Sequence, residues 1–284
     1  MAGLKQGIMV VIMTGKTPQL IDTHCHIHDE EFEWSQTDML EQAREAGVTS
    51  LICVGTSVKS SIAGAEYCRA NEDTLPICYF SLALHPHEAT NMDDTTLKAA
   101  WARLQQLARD SKNDPKFIAI GECGLDAFYP VDSDGLARQK WLLQQHLQLA
   151  QELGKPVIFH VREAFEHFWP IYDKFMLPGV MHSFSAGTRE VEQTIQRGEL
   201  YIGLNGIMTF TKDDDQLAAA KAVPLGKLML ETDAPFLTPT PLRGKINTPA
   251  NVALVAEFLS DLRGETVSLL ADQTSANART LFGI

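Results

Sequence analysis

The sequence has no apolar run long enough to span a bilayer. Its one hydrophobic stretch near the start, Ile8-Met9-Val10-Val11-Ile12-Met13, falls far short of the roughly 20 residues a crossing helix needs. No convincing cleavage site follows, and Lys5 alone makes a thin basic leader. Residues 1–17 read as an N-terminal extension and 18–284 as one folded unit in the cytoplasm. Cysteine is sparse: five residues, Cys25, Cys53, Cys68, Cys78 and Cys123, with no CxxC pair. Most lie in apolar runs, which fits buried reduced thiols in a reducing compartment. Basic residues are outnumbered, 24 Lys and Arg against 36 Asp and Glu, for a net charge of −12. That balance excludes the broad basic footprint of a duplex-DNA binder, but not a local site where bound cations supply positive charge. The chain also lacks a Gly-rich dinucleotide turn, a serine nucleophile elbow, any motif for a phosphorylated intermediate, a Pro/Gly/Ser linker and any low-complexity tract.

What remains is a regular alternation. Near-continuous apolar runs predict strands buried on both faces at Gln19–Asp22, Val48–Val54, Ile77–Leu84, Phe117–Gly121, Val157–Phe159, Val180–Met181, Leu200–Leu204 and Lys227–Leu230. Helical spacing intervenes: Leu97, Trp101, Leu104 and Ala108; Leu136, Leu143, Leu147 and Ala150; Val252, Val255, Leu259 and Leu262. Thr248-Pro249 is expected as the N-cap and first residue of that last helix. Eight such units in 284 residues predict an α/β fold, a single-domain (β/α)8 TIM barrel.

A group able to do chemistry follows almost every run: His24 and His26; His85 and His87; Glu122; His160; His182; Asn205; Asp233. In a barrel these positions converge at the C-terminal mouth. Along the first strand, period-two alternation aims Asp22, His24, His26 and His28 to one face and Cys25 to the other. His146 and His167 fall in helical segments and read as structural, and Asp213-Asp214-Asp215 as a solvated helix start.

The stretches Ile21-Asp22-Thr23-His24-Cys25-His26, Ala83-Leu84-His85-Pro86-His87 and Ala119-Ile120-Gly121-Glu122-Cys123-Gly124-Leu125-Asp126 occur in this order. Phe159-His160-Val161-Arg162-Glu163-Ala164, Met181-His182-Ser183-Phe184-Ser185 and Leu230-Glu231-Thr232-Asp233-Ala234-Pro235-Phe236-Leu237 follow. In these, and in Arg243-Gly244-Lys245, Asn247, Pro249 and the closing Leu281-Phe282-Gly283, the chain resembles the TatD family of metal-dependent deoxyribonucleases, within the amidohydrolase-like barrels. The resemblance implies two divalent ions, Zn²⁺, Mn²⁺ or Mg²⁺. It implies His24, His26 and Asp233 at the first, His160 and His182 at the second, and Glu122 bridging both. His85 matches a histidine near the scissile phosphate, and Arg162 and Glu231 match supporting residues; Asp22 is expected to orient an imidazole. Four imidazoles favour Zn²⁺ or Mn²⁺ over Mg²⁺, whereas the family implies Mg²⁺-supported nuclease activity. Asp233 and His85 are then catalytic with Glu122, and the implied substrate is single-stranded DNA or another phosphodiester, cleaved 3′–5′, with no obligate protein partner.

The chain departs from the family pattern at three places. Ala127-Phe128-Tyr129 stands where an aromatic usually follows the Asp directly, Ala186 where Gly is common, and Ile246 where a basic residue is common. Two other readings compete. One is an amidohydrolase acting on C–N, ester or lactone bonds, against which the glutamate at the bridging position counts, since many such barrels use a carboxylated lysine. The other is a non-enzymatic, metal-stabilised interaction module, against which retention of the whole ligand set counts.

Overall fold

The computed structural model describes residues 18–29 and 36–284, so the expected extension, residues 1–17, lies outside the described residues. The elements run β1 (Leu20–Cys25), α1 (Gln36–Glu45), β2 (Val48–Val54), α2 (Val58–Ala70), β3 (Ile77–Leu82), α3 (Pro86–Asn91), α4 (Asp94–Asp110) and β4 (Phe117–Asp126). They continue α5 (Ser133–Leu153), β5 (Val157–Arg162), α6 (Phe165–Tyr172), β6 (Gly179–His182), α7 (Thr188–Ile195), β7 (Leu200–Leu204), α8 (Asp214–Ala222), β8 (Leu228–Leu230), α9 (Val252–Arg263) and α10 (Val267–Phe282). All eight strands are parallel and hydrogen-bond in sequence order, so the expected TIM barrel is the fold.

Alternation along each strand sorts the side chains. Ile52, Val54, Ile158, Val180 and Met229 share one apolar cluster with Ala278 and Phe282 of α10, whereas Leu51, Cys53, Phe159 and Met181 join the larger cluster under the helices. Two residues beyond Ile158 is His160, and two beyond Val180 is His182, each continuing its neighbour's face. The apolar interior thus grades upward into imidazoles at the mouth. The predicted helix faces hold, with Leu97, Trp101, Leu104, Ala108, Leu143, Leu147, Ala150, Val252, Val255 and Leu259 all buried. Thr248 caps a 3-10 turn, Pro249–Asn251, that leads into α9, and its side chain makes no capping bond. All five cysteines are free and buried.

Four strands run past their expected ends, whereas β3 stops at Leu82, short of the expected Leu84. β4 runs on to Asp126, β5 to Arg162, β6 to His182 and β1 to Cys25. An apolar-run criterion stops where side chains turn polar, whereas backbone pairing continues through the functional residues. The ladders break at those same residues: β4 and β5 shift register between Gly121 and Cys123, leaving Glu122 on the bulge. Gly124 pairs with His160. A Cβ at Gly124 would lie 1.8 Å from the His160 carbonyl oxygen, so only glycine lets the strands meet there.

The β8–β1 seam closes differently. β8 is only three residues long, and beyond it a single bridge joins Cys25 to Ala234. Side chains complete the join: Thr23 Oγ1 donates to the Leu230 carbonyl at 3.0 Å, while Thr232 donates to Asp22 through its N–H at 2.9 Å and its hydroxyl at 2.6 Å.

Candidate metal centre

Glu122 lies at the centre of the mouth, and its two oxygens face different residues. Oε2 stands 3.3 Å from His24 Nε2 and 3.9 Å from His26 Nε2. Oε1 stands 2.7 Å from His160 Nδ1, 3.2 Å from His182 Nε2 and 3.4 Å from His85 Nε2. Asp233 Oδ1 completes the first side, 3.4 Å from His26 and 3.7 Å from His24. The structure therefore brings together all six expected ligands, and His85 with them.

The residues fit divalent cations on their own geometry. His24 and His26 turn their Nε2 atoms toward each other at 3.2 Å. Tetrahedral metal–nitrogen bonds of about 2.0–2.1 Å require ligand atoms roughly 3.3 Å apart, close to the spacing across this first set. The groups His24–His26–Glu122, His85–Glu122–His160 and His24–His182–Glu231 each gather three potential ligand atoms within 4.8 Å.

Local structure orients each ring. His26 Nδ1 donates to the Val54 carbonyl at 2.9 Å, which leaves Nε2 free to ligate. His182 sits between Glu122 and Glu231, whose Oε1 is 3.1 Å from His182 Nδ1, so a carboxylate stands on each side of the ring. Glu231 is steadied by the Ser183 N–H at 2.6 Å and the Asn205 amide at 3.4 Å. Asp233 adopts φ 57°, the left-handed region that costs a non-glycine residue energy. Its N–H donates to the His24 carbonyl and its own carbonyl accepts from Phe236, both at 2.8 Å, so β1 holds it in place.

His85 differs from the others. It caps α3, its Nδ1 accepting from the His87 N–H at 3.2 Å. In the neutral ring this puts the proton on Nε2, facing Glu122. Burial, opposed by Glu122, lowers its pKa to about 4, so the ring is neutral near pH 7 and acts as a hydrogen-bond donor. Beneath it, His146 Nε2 accepts from the Leu84 N–H at 3.1 Å and Nδ1 donates to the Leu142 carbonyl at 2.9 Å, the structural role expected of it.

The carboxylates are ionised despite their surroundings. Burial opposes the charge on Glu122, but His182 and His85 beside it and hydrogen bonds from His160 and His182 outweigh it, holding the carboxyl well below its ordinary range. Asp233 behaves alike: burial is outweighed by the hydrogen bond with His26 and the charges of His182 and His24.

Several placements differ from the sequence reading. Asp22 bonds no imidazole; its carboxylate accepts from Thr232 and from the His24 backbone N–H at 3.3 Å, tying β1 to the β8 loop. Burial pushes its pKa up to about 8. His28 stands apart from the ligand set, because the chain turns at Ile27–His28, with the Asp29 N–H donating to the His26 carbonyl at 3.0 Å; its Nε2 meets Ser60 Oγ at 3.0 Å. Arg162 makes no ion pair with Glu122 but lies over the Phe128 ring, its Cζ 3.4 Å from the centroid. Asp126 had no assigned role, yet its Oδ2 reaches His160 Nε2 at 2.9 Å and His87 Nε2 at 3.3 Å. Burial opposes its ionisation, but His160 and the Phe128 N–H bring its pKa to about 2. An acid at the end of an apolar run was the available signal.

Similarity to known proteins agrees with this geometry. Residues 21–283 match the family model described as TatD related DNase. The chain belongs to the TatD family. It is thus a member of a family of metal-dependent hydrolases. The chain is 32% identical over 271 residues to the 3′-5′ ssDNA/RNA exonuclease TatD of Cronobacter sakazakii, covering 93% of this chain and 97% of that one. It is 31% identical over 268 residues to the metal-dependent hydrolase YabD of Bacillus subtilis, covering 93% and 99%. The crystal structure of the TatD homologue YjjV from Escherichia coli K12 superposes with a TM-score of 0.83 at 31% identity, covering 95% of this chain and all of that one.

Proposed function

We propose that this TatD-family chain is a phosphodiesterase, a 3′–5′ deoxyribonuclease acting on single strands. Its two divalent ions, Zn²⁺, Mn²⁺ or Mg²⁺, are held by His24, His26 and Asp233 on one side and His160 and His182 on the other. The observation that carries this reading is the division of Glu122, one oxygen facing each set of imidazoles. The relative named as an ssDNA/RNA exonuclease supports the substrate class.

Bound divalent cations supply Lewis acidity and bring the pKa of a water toward neutrality. The chain contributes the rest. Ionised Asp233 is the base that takes the proton of the attacking water. The Nε2–H of neutral His85 donates to charge developing on the phosphate. Asp126 and Glu231 hold His160 and His182 in orientation, and Arg162 brings a cation to the groove wall.

The reading also includes a cytoplasmic location, with no obligate protein partner and residues 18–284 acting as one unit. Buried free thiols are consistent with that compartment. Among the described residues no helix is long and apolar enough to cross a membrane.

The test is hydrolysis of end-labelled single-stranded DNA by metal-loaded protein with Mg²⁺, Mn²⁺ and Zn²⁺, alongside RNA, cyclic amides and lactones. Mononucleotides released from the 3′ end, and none from Glu122→Ala, are expected. Intact DNA with turnover of an amide or lactone would transfer the protein to the amidohydrolase reading.

A further inference from the structure

The mouth opens into a cavity of about 1230 Å³, larger than the common range for small-molecule sites of roughly 300–1,000 Å³. One wall carries two large rings that the core does not cover. Phe128 is 46% exposed and Tyr129 is 56% exposed. They stand perpendicular, with centroids 5.1 Å apart. One face of Phe128 is backed by the Arg162 guanidinium, whose Cζ also lies 5.9 Å from the Tyr129 centroid. Arg162 has no carboxylate partner among the described residues, so its charge remains available within the cavity it lines. The rings are tied to the catalytic strand: the Phe128 N–H donates to Asp126 Oδ1 at 3.0 Å, and Asp126 holds His160. Tyr129 meets His87 edge-on at 5.6 Å.

We propose that Phe128 and Tyr129 form a nucleobase-stacking subsite that selects a single-stranded oligonucleotide and sets its register against Glu122. The proposal rests on the phosphodiesterase reading above. Exposed aromatic faces bind any base because every base has a π-face, and a neighbouring cation without an acidic partner among the described residues suits the phosphate beside it. A merely structural pair would bury its rings; these project half-exposed into the groove, and the guanidinium covers one face of Phe128 and leaves the other. The Asp126 tether transmits position, so a base stacked here sits at a constant distance from the imidazoles. This subsite coincides with the place where the sequence departs from the family pattern, Ala127-Phe128-Tyr129.

The experiment uses metal-loaded protein and single-stranded DNA decamers in which a tetrahydrofuran abasic residue replaces each of the last three 3′ nucleotides in turn. In the wild type, loss of one particular base raises KM by about tenfold or more, while loss of the others has a small effect. In Phe128→Ala/Tyr129→Ala that penalty collapses to less than about twofold, and Phe128→Trp with Tyr129→Phe restores it. A cleavage-resistant phosphorothioate decamer carrying 2-aminopurine at the sensitive position gives a second readout. Its fluorescence is quenched on binding to the wild type and not on binding to the double alanine variant. Equal abasic penalties in wild type and variant, or quenching that survives loss of both rings, would overturn the subsite. Failure of the wild type to cleave any decamer would instead overturn the phosphodiesterase reading on which it rests.

Discussion

The two sides of Glu122 are built by different means. On the His24 side the main chain does the positioning: Val54 fixes His26, His24 fixes Asp233, and the His24 side chain is fully buried in the β1–β8 seam. On the His160 side other side chains do it: Asp126 bonds His160 Nε2 at 2.9 Å and Glu231 stands 3.1 Å from His182 Nδ1. A site held by backbone is coupled to folding. A site held by carboxylates can be tuned without disturbing the barrel.

Glu122→Ala removes the element common to both sides. Activity should fall by several kcal/mol of transition-state stabilisation, on the order of 10³-fold or more. Bound metal measured by mass spectrometry should drop for both ions together, with the circular dichroism spectrum unchanged. Retention of one full equivalent would mean that the two sides are independent and that Glu122 is no bridge.

Asp22→Ala should act on the seam. It strands three buried donors, on Thr232 and His24, and should cost about 3 kcal/mol or more of folding stability. Urea unfolding measures this. An unchanged midpoint would show that the seam is closed without the carboxylate.

Asp126→Asn should weaken only the His160 side. Replacing a partner of this kind typically costs 10–100-fold in metal affinity, so one ion of the two should be lost on dialysis while the melting temperature moves little. Equal loss of both ions would contradict the asymmetry.

A pH-dependent effect concerns the support under His85. Burial depresses the His146 pKa from 6.5 to about 4. The unfolded chain therefore takes up this proton first as pH falls. The stability it reflects is complete above pH 6.5 and is lost progressively as pH drops toward 4, by roughly 3 kcal/mol at most. Denaturation titrations at pH 7 and pH 4.5 should show a gap that narrows in His146→Gln, and an identical gap would exclude the assignment.

Much of this molecule was legible in one dimension. β7 matched its apolar run at both ends, because polar Glu199 and Asn205 bound the run where pairing stops. β4 did not: GECGLD continues the strand through a bulge, and no apolar criterion follows a backbone into polar side chains. His28 shows the opposite limit, since alternation carried past His26 runs into the turn at Ile27–His28, where it no longer applies.

The sequence by itself determined which chemical groups this protein owns, their order, and their recurrence just past the apolar runs, because barrel periodicity is a local property. Only the tertiary structure decided how those groups are used. It is the fold that turns one Glu122 oxygen to each side, places the His85 proton on Nε2 through a bond to the His87 N–H, assigns Asp22 to the seam and gives Asp126 to His160. The physical reason is that ligation and tautomer depend on which atom of a ring faces which neighbour. Those neighbours come from positions up to 210 residues away, as Asp22 and Thr232 do.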